Sequence, residues 1–164
     1  MKQLAAWFLL LACAPAAAAD PFSRSTPADV AVTHMNLELR VSFASRELAG
    51  RVALQLVRSA PAQRQELILD TKDLQIGTVM GAGADDRFVP LAFSLGPADP
   101  VLGSALRITL PPGVAKVRVD YRAGREADAL QWLAGPQTRN GRPFLYTQSG
   151  TIHARSWIPV QDSP

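Results

Sequence analysis

The side chains best suited to chemistry in this chain are its two histidines, together with Ser149 and Ser156 near the carboxyl terminus. His34 and His153 are the only histidines, and a zinc site would need both of them, together with carboxylates that the fold brings close. They are far apart in the sequence and form no closely spaced ligand pair. Ser149 and Ser156 have no evident histidine and aspartate partners, and Ser149 lacks the flanking glycines of a nucleophile elbow. The sequence therefore predicts neither a metal site nor catalytic residues.

Arg155 and Asp162 carry opposite charges at a short separation in the sequence. A guanidinium and a carboxylate at this spacing can form a charge-assisted pair. The alternative is a solvated pair that contributes less than about 1 kcal/mol, and the sequence leaves the two open. Trp132 and Trp157 are predicted to be core or interface anchors rather than ligand stackers, because a buried indole contributes a large apolar area.

Most of the chain has the alternating pattern of β-strands. In residues 35–43 every second position is apolar, namely Met35, Leu37, Leu39, Val41 and Phe43. Because successive side chains of a strand point to opposite faces, this pattern predicts a half-buried strand. The alternation resumes over residues 48–56, which predicts an antiparallel hairpin. Gly50 within the second strand indicates a bulge or a close approach of two backbones.

Further strands are predicted at regular spacing, over residues 66–70, 74–80, 87–95, 105–110, 115–122, 144–148 and 152–158. Pro90 makes the third of these an edge strand, because proline cannot donate a ladder hydrogen bond. Residues 127–133 contain better helix formers and are expected to be a loop or a single turn. No long segment has convincing helical periodicity. The pattern therefore predicts an all-β fold, either an antiparallel sandwich or a large curved sheet.

The length and composition are those of one globular domain. The 164 residues are 48% hydrophobic and 19% charged, which lies outside the polar, highly charged composition of disordered chains. The formal net charge is +3, but the arginines that contribute to it are scattered along the chain. A nucleic-acid-binding patch is therefore not supported.

Residues 1–19 have the features of a targeting signal. Lys2 supplies the positive end, and an apolar run follows it. The alanines after this run are the small residues that a signal peptidase requires at its cleavage site. The run is too short to span a bilayer, so no membrane span is predicted. We expect cleavage after Ala19 and export of a domain formed by residues 20–164, to the periplasm or as a secreted protein. The alternative is a lipoprotein anchored through Cys13, the only cysteine.

The carboxyl-terminal segment, residues 144–164, reads FLYTQSGTIHARSWIPVQDSP. It is similar to the segment that closes the amino-terminal β domain of the gluzincin zinc aminopeptidases, the aminopeptidase N and leukotriene A-4 hydrolase type. The matching pieces are Thr147-Gln148, Ala154-Arg155 and a Pro-x-x-Asp-x-Pro ending from Pro159 to Pro164. Similar pieces occur earlier in the chain, at residues 20–23, 34, 43–50, 69–74 and 129–133.

This resemblance implies a saddle-like β domain, with antiparallel or mixed sheets, whose closing segment lines a cleft that faces a catalytic domain. It implies that Gln148 helps to shape the pocket for the first side chain of a peptide substrate, and that Ser149 and Gly150 lie beside it in the substrate-binding segment. Arg155 and Asp162 are implied to stabilise the junction between the two domains.

Gly150 departs from the pattern of the resembled enzymes, in which an amide or carboxylate at this position holds the amino group of the substrate. A protonated amine that leaves water needs an oxygen acceptor or a negative charge, and glycine has no side chain to offer one. Ser149, Thr151 or a residue of a partner domain would have to substitute for it.

The His-Glu-x-x-His sequence that binds zinc in the resembled enzymes is absent from the chain. We therefore expect a substrate-side, non-catalytic amino-terminal domain of an exported zinc aminopeptidase, as a truncated or fragmentary chain that is inactive alone. No cofactor is expected in this chain, and zinc is implied for a longer parent enzyme. The expected partners are the catalytic domain and a peptide substrate. The alternative is a free-standing periplasmic β-sandwich module for binding or interaction that has lost the enzyme.

Overall fold

The structure is a computed structural model that describes residues 20–59 and 66–162, so the predicted targeting signal lies outside the described residues. Within the described ranges, no helix is long and apolar enough to cross a membrane. The strands are β1 Val30–Ser42, β2 Glu47–Arg58, β3 Glu66–Thr71, β4 Gln75–Ala82, β5 Val89–Pro90, β6 Phe93–Leu95, β7 Ser104–Thr109, β8 Lys116–Ala123, β9 Leu130–Leu133 and β10 Phe144–Thr147. Short 3-10 helices lie at Gly135–Gln137 and His153–Ser156.

A five-stranded sheet with the strand order β1-β2-β8-β4-β5 forms the larger layer. The predicted hairpin of the first two strands is confirmed, with Leu37 opposite Val52 and Leu39 opposite Gly50. The strands β2 and β8 lie in the middle of the sheet. Their inward side chains are almost completely buried, namely Val52, Leu54, Val117 and Val119. The alternation that predicted these strands is thus the alternation between a core face and a solvent face.

A three-stranded sheet with the order β3-β7-β6 forms the second layer. Its inward side chains are fully buried, namely Leu67, Leu69, Leu106 and Ile108. They belong to the same hydrophobic cluster as the inward residues of the larger sheet, so the two sheets pack face to face around one core. The all-β prediction is confirmed, and the strand pairs of the described residues are antiparallel.

Gly50 marks a close approach of two backbones rather than a bulge. A Cβ atom on Gly50 would lie 2.0 Å from the carbonyl oxygen of Glu38 and 2.9 Å from the Cα of Leu39. The pairing register of β1 and β2 is continuous at this point, and its irregularity lies between Val32 and His34. Glycine is therefore required here because any side chain would collide with the neighbouring strand.

The prediction of a loop or single turn over residues 127–133 was wrong for its second half. Residues Leu130–Leu133 form β9, which pairs with β10 as a separate two-stranded ribbon. Leu130 is buried in the core, and Trp132 and Leu145 pack against it. Burial of this face outweighs the helix propensity of the sequence, because an isolated ribbon needs such packing to be stable.

The predicted strand over residues 152–158 was also wrong. The chain there forms the 3-10 helix His153–Ser156, and its backbone bonds are local. The amide of His153 donates to the carbonyl of Ser149, and the amides of Trp157 and Ile158 both donate to the carbonyl of Ala154. Ladder pairing appears only at Val160, which forms an isolated bridge with Asp70.

The predicted edge strand over residues 87–95 is divided into two short strands. β5 contains Pro90 and lies at the edge of the larger sheet, whereas β6 lies at the edge of the smaller one. Between them Leu91 is 7% exposed and its backbone amide bonds to Val79. The edge position was predicted correctly, and the crossing from one sheet to the other was not.

Tyr121 on β8 has a buried hydroxyl group without a hydrogen-bond partner among the described residues. Burial raises the pKa of Tyr121, so the hydroxyl is neutral. An unpaired buried hydroxyl costs free energy on folding. Replacing Tyr121 by phenylalanine should therefore raise the free energy of unfolding, by up to about 1 kcal/mol, in urea denaturation.

The matched control for this substitution is Tyr146→Phe, because Tyr146 is 45% exposed. We expect its effect to stay within about 0.3 kcal/mol. A clear loss of stability in Tyr121→Phe would show that the hydroxyl has a partner in the folded protein.

Candidate substrate-side segment and domain junction

The segment predicted to contact substrate follows directly after β10. Gln148 continues the alternation of Phe144 and Tyr146, and all three are exposed. The backbone amide of Gln148 donates to the carbonyl of Ala129 at 2.9 Å, which ties the segment to the ribbon. Since alternate residues of an extended chain share a face, the side chain of Gln148 lies on the outer face of the ribbon, where a second molecule or domain can reach it.

Ser149 is held in place by the helix that follows it. Its Oγ accepts a hydrogen bond from Nε1 of Trp157 at 3.0 Å, and its carbonyl accepts from the amide of His153 at 3.2 Å. Trp157 itself packs against the core, as predicted for an anchor residue. Ser149 therefore fixes the backbone that carries its two neighbours, Gln148 and Gly150.

Gly150 is exposed and surrounded by open space. A Cβ atom built at this position would meet no atom within 4 Å, in contrast to the crowded position of Gly50. The surrounding residues thus leave room for a larger side chain, and the glycine is not required by packing. What the position lacks is a polar group directed outward.

Arg155 is the largest fully buried side chain of the described residues. Its Nε donates to Oδ2 of Asp162 at 3.0 Å, its Nη1 to the carbonyl of Leu102 at 3.2 Å, and its Nη2 to the carbonyl of Phe22 at 2.7 Å. Oδ1 of Asp70 lies 3.9 Å from Nη1. The guanidinium of the Arg155–Asp162 pair is therefore fully buried and the carboxylate is 17% exposed, so this is not a freely solvated pair. One guanidinium joins segments from both ends of the domain.

Asp70 is the second charged residue of this cluster and is also fully buried. Its Oδ2 accepts hydrogen bonds from Oγ of Ser23 at 2.5 Å and from the amide of Asp162 at 3.2 Å. Its Oδ1 accepts from the amide of Arg24 at 2.8 Å. The carboxylate thus receives the donors that a buried charge requires, and it fixes the amino-terminal residues onto the end of β3.

Gln161 fastens the closing segment to the first strand. Its side-chain Nε2 donates to the carbonyl of Val30 at 2.7 Å, and its Oε1 accepts from the amide of Val32 at 2.8 Å. The side-chain amide therefore imitates the backbone of a neighbouring strand along this short stretch of β1.

His153 lies near a separate surface pair. Nζ of Lys72 bonds to Oδ2 of Asp128 at 2.7 Å, and Nδ1 of His153 is 3.6 Å from the same oxygen. These side chains are partly exposed. In the part of the chain that the structure describes, no three histidine, cysteine, aspartate or glutamate side chains converge so that they could hold a metal ion.

This β domain is similar to one part of several known proteins. The chain is 39% identical over 152 residues to a leukotriene A-4 hydrolase of Xenopus laevis, which covers 89% of this chain and 24% of the relative. It is 33% identical over 151 residues to a leucine aminopeptidase 2 of Aspergillus oryzae, which covers 88% and 24%. The structure of a yeast LTA4 hydrolase in complex with bestatin matches with a TM-score of 0.81 at 32% identity, over 92% of this chain and 23% of that one.

The chain belongs to the family of leukotriene A-4 hydrolases and related aminopeptidases, of which it matches the amino-terminal β domain. No protein-family model matches the chain. The chain spans about a quarter of the length of the curated relatives that it matches. In these relatives the domain is joined to a catalytic domain, and the family predicted from the closing segment is confirmed.

Three residues that hold the closing segment were not singled out by sequence reasoning, namely Ser23 and Asp70 beside Arg155 and Gln161 on β1. Ser23 and Asp70 both fall within pieces that resemble the zinc aminopeptidases of this type, and Gln161 falls within the closing segment. The resemblance therefore included these three residues. The hydrophobic periodicity of the sequence did not indicate their contacts, because their partners lie far away in the sequence.

Proposed function

We propose that this chain is the substrate-side, non-catalytic amino-terminal domain of an exported zinc aminopeptidase whose complete form removes amino-terminal residues from peptides. The similarity to a leukotriene A-4 hydrolase over 89% of this chain is the observation that carries the proposal. The exposed position of Gln148 at the end of the ribbon supports its contact with the first side chain of a peptide.

The proposal divides the chemistry between two domains. Zinc, bound by a catalytic domain, would polarise the scissile carbonyl and activate a water molecule. This chain contributes positioning. Gln148 presents an amide to the substrate, and Ser149 and Trp157 hold the segment in place. The pair of the buried Arg155 with the partly buried Asp162 fixes the closing segment where the domains join.

Gly150 limits how the substrate amino group can be bound. Its backbone provides no negative charge, and the open space beside it would admit water. We infer that the parent enzyme holds the amino group weakly through this domain, or through an acceptor that its catalytic domain supplies.

A hybrid enzyme would test this proposal, with this chain replacing the amino-terminal quarter of the yeast relative. Gln148→Ala should raise the KM for a leucine amide substrate. Gly150→Gln should lower it by roughly tenfold or more, because a hydrogen bond to a charged amine is worth about 1.5–3 kcal/mol. Both effects are measured as kcat and KM of the zinc-loaded hybrid.

Gly124→Gln provides the matched control for the hybrid, because a Cβ atom at Gly124 also meets no atom within 4 Å and the position lies outside the closing segment. It should leave KM unchanged. A hybrid that folds and hydrolyses the substrate, but whose KM responds to neither Gln148 nor Gly150, would contradict the assignment of this segment to the substrate.

Export is a further part of the proposal and has its own test. The leader over residues 1–19 supports cleavage after Ala19. Mass spectrometry of the mature protein should find a free amino terminus at Asp20. A lipidated fragment that begins at Cys13 would favour the membrane-anchored alternative instead.

A further inference from the structure

The strand β1 is an unusually long edge strand. It spans 13 residues from Val30 to Ser42, and within the described ranges its only partner strand is β2. The side chain of Gln161 covers the other edge at Val30 and Val32. A register shift follows between Val32 and His34. Beyond it, the edge continues as regular strand without a cover from the described residues.

The direction of the free backbone groups follows from the pairing with β2. The carbonyl oxygen of Glu38 points at Gly50 of β2, since a Cβ atom there would lie 2.0 Å from it. Backbone groups of successive residues in a strand point to opposite edges. The amides and carbonyls of Leu37, Leu39 and Val41 therefore point away from β2, toward the open side, where unpaired strand edges recruit another strand.

The charges along this edge select one partner register. Glu38 is 80% exposed on its side chain, with Oε2 3.8 Å from Nε of Arg51 on β2, and Arg40 is exposed and has no ion-pair partner among the described residues. If a second β1 pairs antiparallel with Leu39 opposite Leu39, each Glu38 lies opposite an Arg40. Moving the two-fold axis by one residue, to position 38 or to position 40, keeps the same backbone groups facing each other. It places Glu38 opposite Glu38, or Arg40 opposite Arg40, and such like-charge pairs are destabilising.

Apolar side chains at the same edge fit the same register. Val41 is 42% exposed, on the face of β1 that also carries Leu37 and Leu39. With Leu39 on the two-fold axis, Val41 would lie opposite Leu37 of the second copy. Pairing therefore removes exposed apolar surface from water in addition to satisfying backbone groups.

We propose that the open edge of β1 binds a second copy of this chain, in an antiparallel β1–β1 pairing with its two-fold axis at Leu39. The two five-stranded sheets then form one continuous sheet, and the interface is isologous, as expected for a symmetric dimer. Gln161 sets the limit of the pairing, because it occupies the edge at Val30 and Val32. This inference is independent of the proposed peptidase function.

The test is self-association of the expressed chain, measured by analytical ultracentrifugation from about 1 to about 200 µM, the range for a small interface. We expect a reversible dimer. Glu38→Arg should weaken the dimer by at least about tenfold, because it creates two like-charge contacts per dimer. The double variant Glu38→Arg/Arg40→Glu restores opposite charges and should return the dissociation constant to within about threefold of the original.

The control variant is Glu126→Arg, which makes the same charge change at a side chain that is 86% exposed in a loop, and it should leave the dimer unchanged. A chain that remains monomeric throughout the range overturns the proposal. A dimer that is insensitive to Glu38→Arg also overturns it, because that dimer uses another surface.

Cysteine cross-linking fixes the register independently, in a Cys13→Ser background. Leu39→Cys should form a disulfide-linked dimer under mild oxidation, because residues directly opposite each other lie about 5.5 Å apart at Cα, within the range that a disulfide bridges. Leu37→Cys is the matched control and should not cross-link. Preferential linkage through position 37 would contradict the register.

Discussion

Replacing Arg155 with leucine is expected to destabilise the domain by about 3–5 kcal/mol, the cost typical of breaking a buried ion pair by removing one partner. A domain of this size has a total stability of roughly 5–15 kcal/mol, so the variant would lose a large part of it. The measurement is urea denaturation, with the change read from the midpoint at a constant slope.

The size of this effect follows from what the guanidinium leaves behind. The fully buried Asp70 and the partly buried Asp162 would stay next to each other without their cation. The carbonyls of Leu102 and Phe22 would each lose a donor. A leucine side chain fills part of the volume, but it satisfies none of these acceptors, and an unpaired buried acceptor costs about 1–3 kcal/mol.

Two further variants isolate this cause. Arg125→Leu removes a guanidinium that is 63% exposed and pairs with Glu126, and it should change stability by less than about 0.5 kcal/mol. Asp162→Asn combined with Arg155→Leu should cost less than the sum of the two single changes, because it removes one of the uncompensated charges. An Arg155→Leu variant as stable as Arg125→Leu would show that the cluster does not hold the domain together.

Gly50→Ala should have the second-largest effect, a loss of about 2–3 kcal/mol, which is typical of overpacking in a rigid setting. The added methyl group would lie 2.0 Å from the carbonyl oxygen of Glu38 and 2.9 Å from the Cα of Leu39. Both atoms belong to the backbone, so no side-chain rotation can relieve the contact. β1 would have to move away from β2, which weakens the hydrogen bonds of the hairpin.

Gly124→Ala is the control for this substitution, since its Cβ atom would meet nothing within 4 Å. A glycine replaced without strain usually leaves stability unchanged or raises it slightly, because the unfolded chain loses conformational freedom. Equal stabilities of the two alanine variants would contradict the close approach of β1 and β2 at Gly50.

The strands that could be predicted from the sequence are those with one core face and one solvent face. Residues 35–43 and 115–122 alternate because Leu37 and Val119 point inward while Glu38 and Arg118 point outward. The start of β1 was missed for a related reason. The register shift between Val32 and His34 changes which residues face inward, so the regular alternation begins only at Met35.

The elements that could not be predicted depend on contacts between distant segments. β9 contains good helix formers, and its strand conformation follows from the packing of Leu130 and Trp132. The 3-10 helix at His153–Ser156 lies where Arg155 must reach Phe22 and Leu102. The pairing of Arg155 with Asp162 was suggested by their spacing, but its burial was not, because Asp70 and Ser23 complete the cluster from elsewhere in the chain.

For the residues proposed to contact substrate, too, the sequence indicated which residues they are, and the structure was needed to show their contacts. Resemblance to the zinc aminopeptidases pointed to Gln148, Ser149 and Gly150, whereas the structure adds how the segment is held. Ser149 is fixed by Trp157, and Gly150 lies in open space. Neither fact follows from residue types alone, because both depend on how the helix after the segment packs against the ribbon.

We propose that this chain supplies the substrate side of a zinc aminopeptidase and does not itself carry the catalytic metal. The most direct measurement is made on the purified chain incubated with zinc, dialysed, and assayed for bound metal and for hydrolysis of leucine amide. We expect no stoichiometric zinc and no hydrolysis above the uncatalysed rate, because the chain has no His-Glu-x-x-His sequence. Zinc-dependent turnover of the amide, abolished by a chelator and restored by the metal, would contradict the claim.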